Sequence, residues 1–306
     1  MKKHVHVKLK YFATGLLLNV AFAHAGDISL NQWAITLPVD DDRSGKADMI
    51  KEYDLAKGFE YPPYFVKQPD GSLIFRSPVS GARTPNTTYT RSELRSMLRC
   101  GNKHIKTQGV TLNNWVFSSA PKEDIQQAGG VDGRLEATLA VNHVTTTGKR
   151  KQVGRVVIGQ IHATHSEPIR VHYRKLPNHQ RGSLYLAHEN TRGHTRWFDV
   201  VGSRKDHAPE PKDGIALNET FSYKIIVEGN LLTFQLLREG KAPREQTIDM
   251  TDSGYDRGGE YMYFKAGVYN LNKSGDAQDY TQATFSQIST HYAQRRPADA
   301  CQSLAD

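Results

Sequence analysis

Three segments that lie far apart in the chain carry polar side chains at every second position, and these side chains could do chemistry. Alternate residues of a β-strand point to opposite faces, so each segment would present polar groups on one face and apolar residues on the other. If the three strands were neighbours in one sheet, their common face could hold an acidic ligand beside groups that accept and donate a proton. The polar residues are Arg91, Glu93, Arg95, Gln160, His162, Tyr261, Tyr263, Lys265 and Tyr269, and the apolar ones between them include Leu94, Ile161, Phe264 and Val268.

The polar pair Gln160 and His162 follows an apolar run, residues 156–159, that is typical of a central strand. A lone histidine is more often structural than catalytic, and alternate polar residues can simply form the solvated face of a strand. Polar groups at a buried position, however, need partners or a function. Both interpretations stay open on this segment alone.

The charged residues Arg91, Glu93 and Arg95 also allow two interpretations. Alternating charges on a surface strand usually form ion pairs with no further role. Alternatively, an arginine binds the carboxylate of a ligand while Glu93 fixes its orientation, because a guanidinium matches a carboxylate in shape. In the third segment the tyrosines and Lys265 could be strand formers and a solvated charge, whereas Gly267 indicates close approach of a ligand or of a neighbouring backbone.

The pattern of the whole chain is typical of an all-β sandwich. Short runs rich in Val, Ile, Thr, Tyr and Phe are bounded by Gly, Pro, Asn and Asp. Residues 225–234 predict a hairpin, because Gly229 and Asn230 supply the positive φ angles of a tight turn. Helix is scarce, with residues 49–56 as the best candidate. The predicted strands are residues 33–37, 73–77, 90–99, 114–117, 134–144, 155–162, 169–173, 183–188, 221–228, 231–238, 261–269 and 282–288.

Residues 1–25 have the pattern of a secretory signal, with a basic start, an apolar stretch and small residues before Gly26. A transmembrane anchor is the weaker alternative, because the apolar stretch is short and Asn19 interrupts it. We expect cleavage near Ala25, and a mature protein that is secreted or periplasmic. Residues 26–306 are expected to form a single domain, since β-sandwiches reach this size.

The formal net charge of the 306 residues is +8, and the four lysines of the predicted signal account for half of it. What remains is mildly basic, which is compatible with an acidic polymer as partner but does not require one. No nucleic-acid-binding module is recognisable, and no later segment is apolar enough to span a membrane. We therefore expect neither nucleic acid nor a membrane as partner.

Only two cysteines, Cys100 and Cys301, occur in a chain that is predicted to be exported. We expect a disulfide between them, with two free thiols as the alternative. Residues 40–45 invite comparison with a calcium loop, but the twelfth position would be Lys51, where such a loop has a glutamate. A solvated turn is expected there, with an incidental calcium site as the alternative. No zinc-type histidine pair occurs, and we predict no metal.

Residues 91–95, 160–162 and 263–270, in this order, closely resemble the three signature segments of the alginate lyases of polysaccharide lyase family 7. Residues 33–38 resemble the opening strand of that family, so the resemblance runs from about residue 27 to about residue 292. It implies a β-jelly-roll sandwich, of the concanavalin or lectin type, whose concave sheet forms an open cleft. Leu271 departs from the family, which often has glutamine at this position.

The resemblance implies cleavage of alginate by β-elimination without a cofactor, which gives oligosaccharides with a 4-deoxy-4,5-unsaturated uronate at the non-reducing end. By resemblance Arg91 and Gln160 would neutralise the substrate carboxylate, His162 would be the base and Tyr269 the acid. On mannuronate Tyr269 would serve as both base and acid. Ile161 resembles family members that favour guluronate-containing blocks. Substrate binding and orientation are assigned to Glu93, Arg95, Tyr263, Lys265 and Asn270.

Two other classes of protein remain as alternatives. A noncatalytic carbohydrate-binding module would bind the acidic polysaccharide without cleaving it, because jelly rolls often only bind. A glycoside hydrolase would need two facing carboxylates, and Glu93 is the only carboxylate within the three segments. We expect a monomer, with the polar loop of residues 270–279 as a rim or lid of the site.

Overall fold

β-Strands are the main regular structure of residues 28–296, the part of the chain that the computed structural model describes. The helices are α1 (Glu52–Ala56) and α2 (Lys122–Gln127), and neither is long and apolar enough to cross a membrane. The predicted signal, residues 1–25, and Cys301 lie outside the described residues. The strands are β1 (Trp33–Thr36), β2 (Met49–Ile50), β3 (Phe65–Lys67), β4 (Leu73–Pro78), β5 (Arg91–Ser96), β6 (Trp115–Val116), β7 (Gly130–His143), β8 (Arg155–His162), β9 (Ile169–Arg174), β10 (Arg181–Glu189), β11 (Thr195–Val201), β12 (Ile215–Ala216), β13 (Thr220–Glu228), β14 (Leu231–Leu237), β15 (Arg244–Asp249), β16 (Tyr263–Asn270) and β17 (Tyr280–Arg295).

The strands form two sheets, as expected of a sandwich. Sheet A has the order β11-β10-β9-β8-β16-β5-β1-β2, with β12 beside β10. Sheet B has the order β15-β14-β13-β7-β17-β4-β3, with β6 beside β7. Neighbouring strands within these paths are antiparallel, and β6 and β7 run parallel. Strands distant in sequence, such as β5, β8 and β16, are therefore neighbours in sheet A.

The core lies between the two sheets and contains the apolar residues of the three polar segments. Leu94, Ile161, Phe264 and Val268 are each fully buried in it, as the alternation predicted. The indole of Trp115, from sheet B, stacks on the Phe264 ring of sheet A with centroids 5.0 Å apart. Such aromatic contacts contribute about 0.5–1.5 kcal/mol beyond the area that they bury. Packing on the core face thus fixes which side chains β16 turns outward.

All the predicted strands overlap observed ones, and the predicted hairpin forms between β13 and β14. Gly229 adopts a φ of +56° in its turn, whereas Asn230, for which a positive φ was also predicted, does not have one. The strands missing from the prediction are β2, β3, β11, β12 and β15, which are short or have few buried residues. The predicted helix of residues 49–56 begins only at Glu52, because Met49 and Ile50 pair with β1. Helix α2 was also missed.

The central strands of sheet A, β8, β16 and β5, bring the three polar segments side by side. Residues that lie directly opposite one another in neighbouring strands share a face of the sheet. Strand β16 lies between β8 and β5, so its side chains meet partners on both sides. The cross-strand pairs are Tyr263 with His162, Lys265 with Gln160, Lys265 with Arg95, Gly267 with Glu93, and Tyr269 with Arg91.

Gly267 allows β16 to approach β5 closely at the position opposite Glu93. Its φ of +133° is a conformation that side chains with a Cβ rarely adopt. A Cβ at this position would lie 2.6 Å from the Ser92 carbonyl oxygen and 2.9 Å from the Glu93 Cα. Of the two reasons that the sequence offered for this glycine, the approach of a neighbouring backbone is therefore the one observed.

Candidate active site

A cleft of about 490 Å³ lies over the polar face of β5, β16 and β8. The register of the three strands therefore gathers most of the predicted site residues around one space. Those that line the cleft are Arg91, Arg95, Gln160, His162, Tyr263, Lys265 and Tyr269. Lining residues that the sequence analysis did not single out include Gln108, Glu167, Arg170 and the loop of residues 84–89.

The Glu93 carboxylate lies beneath the cleft and is 1% exposed. Its Oε2 accepts a hydrogen bond from Arg91 Nη1 at 3.0 Å and also pairs with the Lys265 ammonium. Its Oε1 accepts a hydrogen bond from the Gln160 amide. One carboxylate therefore positions two cations and an amide that come from three strands. Glu93 orients the groups that face a ligand, as predicted for the arginine, and does not itself line the cleft.

The charges around Glu93 shift the pKa values of this buried group of side chains. Burial by itself would raise the pKa of Glu93, but Lys265 and Arg91 outweigh burial and hold its pKa below the usual value. Burial, together with the positive charge of Arg91, lowers the pKa of Lys265 to about 8. Glu93 is therefore ionised at neutral pH, while Lys265 loses its proton in the mildly alkaline range.

The His162 imidazole is neutral at neutral pH and offers one free nitrogen. Its Nδ1 lies 2.6 Å from the Ala163 carbonyl oxygen, which can only accept, so Nδ1 carries the proton and Nε2 has the lone pair. The ring stacks on Tyr263 with centroids 5.0 Å apart. Burial, followed by the positive charge of Lys265, lowers the pKa of His162 to about 4. The geometry thus gives a proton acceptor of fixed orientation.

The Tyr269 phenol lies on the same face, at the other end of β16, and remains protonated. The Arg91 guanidinium lies over the Tyr269 ring, 3.9 Å from its centroid, and the Tyr89 ring meets it edge-on at 6.0 Å. Burial raises the pKa of Tyr269 despite the opposing effect of Arg91. A phenol held in this state can donate a proton to a ligand atom in the cleft.

Arg95 is held against the wall of the cleft by two contacts. Its guanidinium lies over the Tyr263 ring, 4.0 Å from the centroid, and its Nη2 donates to the Thr107 carbonyl oxygen at 2.7 Å. Tyr261 precedes the start of β16, and its hydroxyl bonds to the Gln108 side chain. These contacts connect the end of β16 to the segment that carries Thr107 and Gln108.

Asn270 was predicted to bind substrate, but the structure places it away from the cleft. Its side chain is fully buried, where Nδ2 donates to the Ser77 carbonyl oxygen at 3.2 Å and Oδ1 accepts from the Asn272 backbone N–H at 3.1 Å. A carboxamide engaged in this way supports the turn after β16. The loop predicted as a rim, residues 270–279, also contributes nothing to the lining, because Asn272 and Asp279 bind it to residues 145–147.

Glu167 and Arg170 extend the cleft beyond the residues found from sequence. Glu167 Oε1 lies 3.6 Å from His162 Nε2, and Arg170 pairs with Glu167 at 3.7 Å and with Glu189 at 2.9 Å. Arg170 had a sequence signal, since it starts an alternating polar series on the predicted strand of residues 169–173. Glu167 lies in a turn, and alternation gives no such signal there.

Outside the cleft, the structure describes one cluster of acidic groups that could hold a cation. The carboxylates of Asp40, Asp42 and Asp48 lie within 4.8 Å of one another. They accept hydrogen bonds from their own loop, including those of the Gly45 and Ser44 backbone N–H groups. The turn is exposed, as the sequence indicated, and the calcium alternative stays a prediction. Cys100 is buried after β5, and the disulfide with Cys301 stays a prediction.

Fold and cleft together define a β-jelly-roll protein with cations, a neutral imidazole and a phenol on one face of a sheet. A family model described as alginate lyase matches residues 28–291. The chain belongs to this family, the alginate lyases of polysaccharide lyase family 7, which confirms both the family and the jelly-roll fold that the three segments predicted.

Known proteins from two bacteria are similar over nearly their whole length. An alginate lyase of Klebsiella pneumoniae is 55% identical in an alignment of 277 residues that covers 87% of this chain and 90% of the relative. The crystal structure of the alginate lyase from Klebsiella pneumoniae has a TM-score of 0.86 at 52% identity and covers 88% of this chain and 98% of its own. The crystal structure of alginate lyase PA1167 from Pseudomonas aeruginosa has a TM-score of 0.62 at 26% identity and covers 86% and 99%.

Replacing Glu93 with Gln should destabilise the protein, because Arg91 and Lys265 would remain buried without their anion. Breaking a buried ion pair costs about 3–5 kcal/mol, and we expect a loss of this size in the free energy of unfolding, measured with denaturant. The matched control is Glu136→Gln on sheet B, where the pairs with Lys224 and Arg134 are more exposed. Its expected loss is below about 1 kcal/mol. Equal losses would show that Glu93 has no special role.

Proposed function

We propose that the cleft cleaves alginate by β-elimination and releases oligosaccharides that end in a 4-deoxy-4,5-unsaturated uronate. The observation that carries this proposal is the free Nε2 of His162 beside the cations and amide that Glu93 holds. Family membership supports alginate as the substrate. Alginate carries a carboxylate on C5 of every sugar, which matches the charge of Arg91 and Lys265.

The first requirement of the reaction is to make the proton on C5 acidic. That proton is hard to remove, because the neighbouring carboxylate is already negative and gains more charge as the proton leaves. Arg91 and the Gln160 amide bind this carboxylate and stabilise the growing charge. Both are oriented by Glu93 before the substrate arrives, so they need little reorganisation during the reaction.

The second requirement is a base and an acid. His162 Nε2 accepts the C5 proton, the electrons of the C5–H bond form the C4–C5 double bond, and the bond from C4 to the glycosidic oxygen breaks. Tyr269 gives its proton to the departing oxygen. A bound carboxylate also offsets the positive charge of Lys265 and Arg91, which raises the pKa of His162 and makes it a stronger base. On mannuronate, whose C5 proton lies on the other face, Tyr269 serves as both base and acid, which requires its phenol to lose a proton before it accepts the one on C5.

We expect Tyr269→Phe to reduce kcat on alginate, and His162→Ala to reduce kcat on guluronate blocks, each by about 10²–10⁴-fold, the usual contribution of a positioned acid or base. Release of unsaturated product is followed by ultraviolet absorbance, and folding by circular dichroism. Tyr280→Phe, on the other sheet, serves as the control and should keep the parental rate. Near-normal product release by Tyr269→Phe would remove it as the acid, and alginate binding without any product from the parent would indicate a noncatalytic module.

We expect kcat/KM, which reports the ionisation of the free enzyme, to fall at both low and high pH. His162 acts only when neutral, so kcat/KM falls as the pH drops through its pKa of about 4. Lys265 attracts the carboxylate only when charged, so kcat/KM also falls as the pH rises through its pKa of about 8. In Lys265→Arg the guanidinium stays charged, and the alkaline limb should move to higher pH. An unmoved limb would assign it to another group.

We further propose a preference for guluronate-containing blocks, based on Ile161 between Gln160 and His162. Ile161 is fully buried in the core and does not touch the sugar. It would act through its packing, which sets the positions of Gln160 and His162 on the opposite face of the strand. Purified guluronate blocks should be cleaved with a higher kcat/KM than mannuronate blocks, as measured by absorbance and product sizing. The opposite order would overturn the preference and leave the reaction class intact.

We also propose that the chain is exported, is cleaved near Ala25 and acts as a monomeric single domain. The support is the pattern of residues 1–25 and the continuous core between the two sheets. Expression of the full chain in a bacterial host, with N-terminal sequencing of the exported product and sedimentation analysis, tests export, the cleavage position and the monomeric state.

A further inference from the structure

The polar face of sheet A continues beyond the cleft toward the edge strand β11. In the register of the sheet, Gln160 lies opposite Arg170, Arg170 opposite Ala187, and Ala187 opposite Trp197. Residues directly opposite one another share a face, so Trp197 lies on the face that carries Gln160. Arg170 lines the cleft, and Trp197 is two strand spacings farther, a distance of about 10 Å.

Trp197 presents a large ring to solvent on a supported surface. Trp197 is 39% exposed, whereas its neighbours His172 and Tyr185 are buried. The Trp197 ring centroid lies 5.5 Å from that of His172 and 5.9 Å from that of Tyr185, and these two rings stack on each other at 4.9 Å. An aromatic ring held in this way can pack against the C–H face of a sugar, because its own face is electron-rich.

Arg204 places a cation beside the same ring. Its guanidinium lies 4.9 Å from the Trp197 ring centroid, and within residues 28–296 it has no ion-pair partner. The loop that carries it is fixed from below, because the buried Arg174 donates to the Arg204 carbonyl oxygen at 3.1 Å and to Asp206 at 2.9 Å. An exposed cation on an anchored backbone suits a carboxylate that arrives from solvent.

We propose that Trp197 and Arg204 form a distal subsite for the acidic polysaccharide, where one uronate packs on the indole and its carboxylate pairs with Arg204. The inference rests on the proposed function, because a chain held at Gln160 and His162 would continue across β9 and β10 to reach it. Between the two places Arg170 pairs with both Glu167 and Glu189 and offsets one of their two negative charges, which reduces the repulsion of an anionic chain along this path.

If the subsite exists, its removal should raise KM only for alginate chains that are long enough to reach it. We expect Trp197→Ala and Arg204→Gln each to raise KM for polymeric alginate by about fivefold, a typical effect of one aromatic or cationic contact, with kcat changed less than about twofold. The rise in KM should be absent with an alginate trimer, which is too short to span the cleft and the subsite together. The double variant should raise KM by less than the product of the two single increases, because both groups hold the same sugar.

The controls are Tyr53→Ala on α1 and Lys57→Gln directly after it, an exposed aromatic ring with an ammonium 4.0 Å from its centroid. This pair matches Trp197 and Arg204 in chemistry but does not belong to the cross-strand series that runs from Gln160 to Trp197. Both control variants should keep the parental KM on polymer. An unchanged KM in Trp197→Ala, or an equal rise with the trimer, would overturn the subsite.

Fluorescence provides a test that does not depend on turnover. The chain has three tryptophans, and Trp33 and Trp115 are buried, so quenching by acrylamide reports mainly on Trp197. In a Tyr269→Phe background, polymeric alginate should reduce this quenching, whereas the trimer should not. Quenching that alginate leaves unchanged overturns the subsite. Absence of unsaturated product from the parent protein would instead overturn the proposed function, and the fluorescence result would still decide whether Trp197 binds the chain.

Discussion

The cleft depends on one buried carboxylate. Glu93 compensates the charges of Arg91 and Lys265 and also holds the Gln160 amide, so groups from three strands share a single anion. Cations in such a place cost several kcal/mol each when their partner is absent. The two cations exceed the single anion by one charge, which attracts a further anion, and the field of Lys265 adds to burial in lowering the pKa of His162. Stability, ligand charge and the state of the base therefore all depend in part on this group of charges.

The sandwich makes this arrangement rigid, because each site strand has its other face in the core. Leu94 and Phe264 alternate with the site residues on β5 and β16, and the Trp115 ring packs on Phe264 from the opposite sheet. A slip of either strand by one residue would turn polar groups inward, which the buried apolar surface prevents. Gly267 completes the fit, since only a residue without a Cβ lets the two backbones meet at Glu93.

The sequence analysis predicted the strands with clear alternation and failed where alternation is weak. Strand β11 was missed because all but one of its residues are exposed or only partly buried, Trp197 among them, so no alternation of buried apolar residues marks it. Asn270 was assigned to substrate binding by resemblance, yet its amide supports a turn inside the protein. Glu167 lines the cleft but had no sequence signal, since a residue in a loop between strands has no face that periodicity can predict.

By itself the sequence determined which residues of each strand share a face, because strand geometry fixes that locally, and its three segments identified the family. Only the tertiary structure decided that β16 lies between β8 and β5, that residues 84–89 and not 270–279 border the cleft, and that Glu93 lies beneath it. These features depend on pairings between segments far apart in the chain. Such pairings are set by burial and packing of the whole sandwich, which no local pattern of residues contains.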